Sequence, residues 1–268
     1  MKNIKKVYGS WCLVAGAAEG LGEAYSRTLA ERGFSVIMVD NQEEAMNLLA
    51  DKLEKSFKVQ TMRIFQDLAD VGSVSVMMAA IMNTSCRLVI YNAAYSVVQR
   101  FIENTPEDLD AYTAVNVRTP LQLVRAFTEF HLEESTLPKG LILMSSLASF
   151  WGSAYLAPYG ATKAFNRILA QGLHHELKYD NFDVLACVAG ATSTPAYLKT
   201  KPQYGRIRAH VMEPQQVAEE ALNALGKKDV LVAGSSNRRT LFLLGRLLPG
   251  RMSVSLFNRT VRQMFPMQ

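Results

Sequence analysis

Cysteine is scarce in this 268-residue chain, and the three thiols match no metal knuckle in their spacing. Cys12, Cys86 and Cys187 each sit in an apolar stretch that reads as a buried strand or its entrance, so free thiols in a reducing cytoplasm are expected. Long hydrophobic runs are missing too. Leu241 to Leu248 is broken by Gly245 and Arg246 and stopped by Pro249, well below a bilayer-spanning length, so no transmembrane helix is expected. The basic start, Met1 to Lys6, leads into a glycine-rich turn with no cleavage-like site, which argues against a secretory signal. The sequons at Asn83 and Asn258 then read as chance matches. Acid is absent from residues 230–268, which hold six arginines and contain the whole excess of the +5 net charge. A nucleic-acid-binding fold would spread its cations along a docking face, so no nucleic acid is expected as a partner.

What is present is apolar and periodic. Hydrophobic residues make up 49% and charged residues 20%, which excludes a disordered chain. Short β-rich runs alternate with longer helical patterns, and this layout specifies an α/β, doubly wound, seven-stranded parallel sheet of Rossmann-like type in a single domain. The strands are expected near Trp11–Ala15, Ser35–Asp40, Val59–Phe65, Leu88–Asn92, Leu141–Ser145, Val184–Val188 and Val230–Ala233. Helices are expected near Gly20–Arg32, Gln42–Lys55, Val71–Asn83, Pro106–His131, Tyr159–Tyr179 and Pro214–Leu225. Two stretches escape the alternation. We assign residues 1–237 to a dinucleotide-binding catalytic domain with a substrate lid at about 195–213, and residues 238–268 to a basic amphipathic tail.

The first strand ends in Ala15-Gly16-Ala17-Ala18-Glu19-Gly20-Leu21-Gly22 and a helix opens at once, which is where a dinucleotide fold seats its pyrophosphate. A side chain at Gly16 would block the tight turn, and one at Gly20 or Gly22 would hold the backbone off the phosphates or off the strand. Asp40 ends the second strand, where a carboxylate can accept both ribose hydroxyls and repel a 2′-phosphate. NAD is therefore favoured over NADP, and Glu19 inside the turn points the same way. The plainer reading of Asp40 is a cap for the helix starting around Gln42.

Tyr159 and Lys163 stand at i and i+4, on one helix face a turn apart. With ten tyrosines in the chain, such a pair by itself is weak evidence. Ser146, at a strand end thirteen residues earlier, can be brought beside the phenol by a strand-to-helix crossover. With these residues the chain resembles the short-chain dehydrogenase/reductase family over nearly its whole length. The family's glycine motif is similar to Ala15–Gly22, including Gly16, Ala18, Glu19, Gly20 and Leu21. Its adenine-contacting acid resembles Asp67 with Leu68, and its N-A-G resembles Asn92-Ala93-Ala94. Its helix asparagine resembles Asn116, its serine Ser146, and its active pair Tyr159 and Lys163. Its last motif, which grips the nicotinamide, resembles Ala189-Gly190-Ala191-Thr192-Ser193-Thr194. Ala15, Tyr91, Ala94 and Ala189 depart from the family pattern. None of the four is a proton-transfer group, so the departures bear on cofactor affinity.

The resemblance implies an NAD-dependent oxidoreductase that interconverts a hydrophobic secondary alcohol and a ketone. Tyr159 would be the acid/base, and Lys163 would favour the phenolate and grip the nicotinamide ribose. Ser146 would hold the substrate oxygen, Asn116 would position a water, and Gly190, Thr192 and Thr194 would border the nicotinamide. Two alternatives stand beside it: a 3-oxoacyl-type reductase of carrier-linked thioesters, and a cofactor-binding membrane-associated scaffold without chemistry. His131, His174, His175 and His210 suggest no metal site, because adjacent residues on a helix point apart. Met77, Met78 and Met82 read as core filler. Lys199, Lys201, Arg206, Arg208 and His210 make the lid basic, and a solvated loop accounts for them better than an anionic substrate. Trp151, Tyr155, Tyr197 and Tyr204 suit an aromatic entrance. The tail reads as one or two amphipathic helices, open to peripheral contact with the inner membrane face or to a partner subunit in a homodimer or homotetramer.

Overall fold

The computed structural model describes residues 4–132, 137–203 and 210–266. A short first helix, α1 (Ile4–Tyr8), precedes β1 (Trp11–Ala15). There follow α2 (Gly20–Glu31), β2 (Ser35–Asp40), α3 (Glu43–Phe57), β3 (Thr61–Phe65), α4 (Ser73–Thr84) and β4 (Leu88–Tyr91). The second half holds α5 (Pro106–Thr113), α6 (Thr119–Leu132), β5 (Lys139–Ser146), α7 (Ala157–Glu176) and β6 (Phe182–Ala189). It continues with α8 (Pro195–Lys199), α9 (Pro214–Ala224), β7 (Val230–Val232), α10 (Ser235–Phe242) and α11 (Gly250–Met264).

The seven strands pair in the order β3-β2-β1-β4-β5-β6-β7, every pair parallel. The chain winds one way from β1 to β3 and the other way from β4 to β7, so a crevice opens at the carboxyl ends of β1 and β4. Central strands are apolar on both faces because helices cover both. Cys12, Val14, Val36 and Met38 enter one core with α2, α3 and α9, while Leu13, Ile37, Val89 and Leu141 enter the other with α4, α6 and α7. All three cysteines are buried and free.

The sequence-based boundaries of β1 and β2 stand unchanged; others move for physical reasons. Lys58 caps α3 in the left-handed conformation (φ 56°), so β3 starts at Thr61 rather than at Val59. The single helix expected over Pro106–His131 is interrupted by a π-helical turn, Ala114–Arg118, between α5 and α6. Pro120 lacks the N–H that would bond the carbonyl four residues back, that of Asn116, and the ladder opens there. Asn166 Nδ2 takes over that carbonyl at 2.9 Å. Met77 and Met78 are in the core, whereas Met82 lies on the outer face of α4, 50% exposed.

The tail forms α10, a π-helical turn over Leu243–Leu247, and α11. The division drawn at residues 237 and 238 falls inside α10, where Asn237 is buried and its amide donates to Ala233 O at 2.8 Å. Among the described residues, no helix is long and apolar enough to cross a membrane. Among the same residues, no cluster of His, Cys, Asp or Glu could hold a metal ion.

Candidate active site

The glycine turn closes the crevice end of β1. Gly16 has φ +76° and Gly20 φ +60°, conformations that glycine adopts without cost. A Cβ on Gly16 would sit 2.7 Å from Ala93 N, and one on Gly22 would sit 1.7 Å from Gly16 O. One on Gly20 would stand 3.0 Å from the Thr194 side chain. The turn is thus threaded between the ends of β4 and β6, and the bare backbone of Gly20, Leu21 and Gly22 opens α2 toward the crevice. Those amides fit a pyrophosphate at a helix N-terminus. Glu19 is the helix N-cap and makes no side-chain cap bond.

Asp40 does two jobs at once. Its Oδ2 accepts the Ala18 N–H at 2.9 Å, which ties the turn to β2, and its Oδ1 accepts the Gln42 N–H at 3.0 Å. Each carboxylate oxygen keeps a second lone-pair direction for a ribose hydroxyl. Asn92 Nδ2 donates to Gly16 O at 2.8 Å, so its amide holds the turn across the crevice. Ala93 N–H bonds Ala15 O at 2.9 Å, and Ala94 is exposed beside it. Asp67 Oδ1 accepts the Ala69 N–H at 2.8 Å in a local turn, and buried Leu68 gives its carbonyl to Thr119 Oγ1 at 2.7 Å.

The polar centre lies at the ends of β5 and α7. Ser146, at the end of β5, lies close enough to the half-buried Tyr159 to influence its phenol, and its Oγ accepts the Ala148 N–H at 3.2 Å. The ammonium of Lys163 lies 5.7 Å from the centroid of the Tyr159 ring and donates to Met144 O at 3.1 Å. Burial raises the phenol above its ordinary pKa, the Ser146 hydroxyl lowers it, and nearby Tyr112 raises it again. Lys163 is only 3% exposed, and burial pushes its pKa down to about 8. Gly160 lets the helix close on β5, since a Cβ there would stand 2.9 Å from Ala148 O.

Asn116 is fully buried in the π-helical turn. Its Oδ1 accepts the Tyr95 N–H at 2.7 Å, and its Nδ2 donates to Tyr95 O at 2.9 Å and Thr162 Oγ1 at 3.0 Å. The carboxamide therefore holds the loop after β4 against α7. Sequence reasoning missed two neighbours with related roles, Ser145 and Asn166, and singled out Tyr91 without identifying its partner. Ser145 Oγ donates to Lys163 O at 2.8 Å, Asn166 Nδ2 donates to the Asn116 carbonyl freed by Pro120, and the Tyr91 hydroxyl donates to Val115 O at 2.6 Å. The signal for Asn166 was in the sequence, as an asparagine one turn beyond Lys163 on the same face.

Past β6, Gly190 is packed so closely on α10 that a Cβ would meet Asn237 Nδ2 at 2.5 Å. Thr192 is buried, bonds Gly190 O at 3.1 Å, and bridges to Met212. Thr194 caps α8, accepting the Tyr197 N–H at 3.2 Å, and its methyl faces the glycine turn. A cavity of about 240 Å³ is lined by Gln99, Phe101, Tyr155 and Pro158 among others, and Tyr159 is not part of its lining. Trp151 stacks near Phe257 of α11, and Tyr197 lies on α8. Tyr204, Arg206 and Arg208 lie outside the described residues.

The described residues of the expected site thus lie along the carboxyl edge of the sheet. The family model for short chain dehydrogenases matches residues 10–205. The chain is 28% identical to a 7beta-hydroxysteroid dehydrogenase of Clostridium sardiniense, over 89% of this chain and 91% of that one. It is 26% identical to a very-long-chain 3-oxoacyl-CoA reductase of Candida albicans, over 82% of this chain and 65% of that one. A solved 7beta-hydroxysteroid dehydrogenase structure superposes with a TM-score of 0.86 at 25% identity, covering 95% of this chain and 99% of that one. With the matching model, the parallel sheet and the glycine turn in agreement, the chain belongs to the short-chain dehydrogenase/reductase family of oxidoreductases.

Proposed function

We propose that the chain interconverts a secondary alcohol and a ketone on a hydrophobic, steroid-sized substrate, with NAD favoured over NADP and Tyr159 as the acid/base. The observation that carries this reading is the buried Lys163 ammonium 5.7 Å from the Tyr159 ring, with Ser146 close to the same phenol. The dinucleotide, when bound, supplies the hydride acceptor or donor. Gly16, Gly20 and Leu21 would hold its pyrophosphate, Asp40 its adenosine ribose, and Gly190 and Thr194 would border its nicotinamide. A fixed carboxylate at Asp40 opposes a 2′-phosphate, which supports NAD.

In the alcohol direction, Ser146 holds the substrate oxygen by a hydrogen bond and Tyr159 accepts the hydroxyl proton at its phenolate oxygen. In the ketone direction Tyr159 returns that proton. Burial raises the Tyr159 phenol, already a poor base near neutrality at its ordinary pKa of about 10, so Lys163 together with the positive ring of the oxidised dinucleotide would have to favour its ionised form. Asn116 acts through position, holding the loop after β4 and the first turns of α7 together.

The hydroxysteroid-dehydrogenase relatives support the hydrophobic substrate. The 3-oxoacyl reading draws on relatives matched over a smaller share of their own length and has to accommodate the Asp40 charge. Homo-oligomer formation would use α6 and α7, which carry the exposed side chains Leu121 and Ile168. Val261 of α11 is buried, and a peripheral membrane contact would rest on exposed Phe242, Leu243, Leu247, Met252 and Val254 beside the tail arginines.

The test mixes the chain with NAD+ or NADP+ and a panel of secondary alcohols that includes a 7β-hydroxysteroid, following absorbance of the reduced dinucleotide. Turnover of the steroid that is faster with NAD+ is expected. No reduced dinucleotide with any alcohol would overturn the reading.

A further inference from the structure

The stretch from Leu147 to Leu156 joins Ser146 to the helix of Tyr159, so its path sets the opening above both groups. It is fastened at three places. Near its start, Arg167 of α7 donates to Ser149 Oγ at 3.2 Å and to Ser149 O at 3.3 Å, and its guanidinium carbon lies 4.4 Å over the Phe150 ring. In its middle, Asn258 of α11 accepts the Ala154 N–H at 2.7 Å and donates to Gly152 O at 2.8 Å. The neighbouring Phe257 ring lies 5.4 Å from that of Trp151. At its end, Tyr155 is held in the left-handed region (φ +64°) while its carbonyl accepts the Gln99 N–H at 3.2 Å. A tyrosine in that region is strained and persists only where its surroundings impose it. Farther along α11, Met264 O accepts the Gln203 N–H at 2.8 Å. Gln203 follows α8, on the opposite rim.

We propose that α11 is a strap across the substrate cleft and that Asn258 is its positioning residue, fixing the Gly152–Tyr155 loop and with it the bulk of alcohol admitted to Tyr159. The assignment rests on the alcohol-dehydrogenase reading of the site. A carboxamide offers an acceptor and a donor in one plane, matching an N–H and a C=O two residues apart. Aspartate would keep the acceptor and lose the donor. The Asn258 Nδ2 also bonds Val254 O at 2.9 Å, so the group is pre-oriented from its own helix.

The experiment compares the parent with Asn258→Ala and Asn258→Asp. It measures KM and kcat for a 7β-hydroxysteroid and for the smallest alcohol the parent oxidises, dinucleotide affinity by fluorescence, and amide hydrogen exchange over residues 147–156. Loss of these two loop hydrogen bonds, one part-buried and one exposed, should raise the KM for the steroid about tenfold in Asn258→Ala, with dinucleotide affinity and small-alcohol kinetics within about twofold of the parent. Asn258→Asp should fall between, and exchange at Ala154 should quicken in Asn258→Ala. A parallel loss for both alcohols, or an unchanged steroid KM, overturns the proposal. Should the parent oxidise neither alcohol, the alcohol-dehydrogenase reading fails. The exchange arm then still decides the strap, since undiminished protection of the loop in Asn258→Ala would remove it.

Discussion

A buried ammonium leaves a signature in stability as well as in catalysis. Lys163 titrates at about 8 in the fold and near 10.4 when the chain is unfolded, so between those values the unfolded state binds more protons and stability rises with pH. Below pH 8 the fold bears a charge-burial cost of about 3 kcal/mol, partly offset by the bond to Met144. Lys163→Met should therefore be more stable than the parent at pH 7, and the gap should close by pH 10; urea midpoints at the two pH values check it. Tyr159→Phe should lower kcat by about 10²–10⁴-fold while leaving dinucleotide affinity nearly unchanged, as steady-state rates and fluorescence titration would report. Spacing put Tyr159 and Lys163 on one helix face, but it was the ordered family resemblance that marked them and Ser146 as a site. Ser145 was not legible, because a serine bonding a carbonyl eighteen residues away leaves no local pattern. Asp40 was legible as a charge at a strand end, but not as the acceptor that fastens Ala18.

Elements built on close backbone approach admit sharper tests. Gly22→Ala would drive a methyl into Gly16 O, so the turn must open. It should cost about 1–3 kcal/mol of stability and reduce dinucleotide affinity at least tenfold, as thermal melts with and without NAD+ would measure. The parallel strands were readable because double-sided burial makes continuous apolar runs, and β1 and β2 match to the residue. The break between α5 and α6 escaped notice because its hydrophobic period continues through it, although Pro120 announced the missing donor. The five-residue helices α1 and α8 were too short for a periodic signal, and Thr194 with Pro195 offered only a cap.

Across the whole molecule, the tail proves to be part of the packing. Val261 and Phe265 are buried, and Asn237 and Ser253 with them. Removing residues 238–268 should destabilise the chain by about 3–6 kcal/mol, the transfer value of two large side chains, visible as a lower thermal midpoint. A merely peripheral appendage would leave that midpoint in place. The amphipathic pattern of the tail was plain in the sequence, but which surface it covered was not, because covering residues such as Trp151 and Gly152 lie about a hundred positions away. Protein synthesis gives this arrangement a direction in time. The glycine turn and the Tyr–Lys pair leave the ribosome well before residues 250–264 are made, so the proposed acid/base pair exists in the nascent chain before the helix proposed to select its substrate.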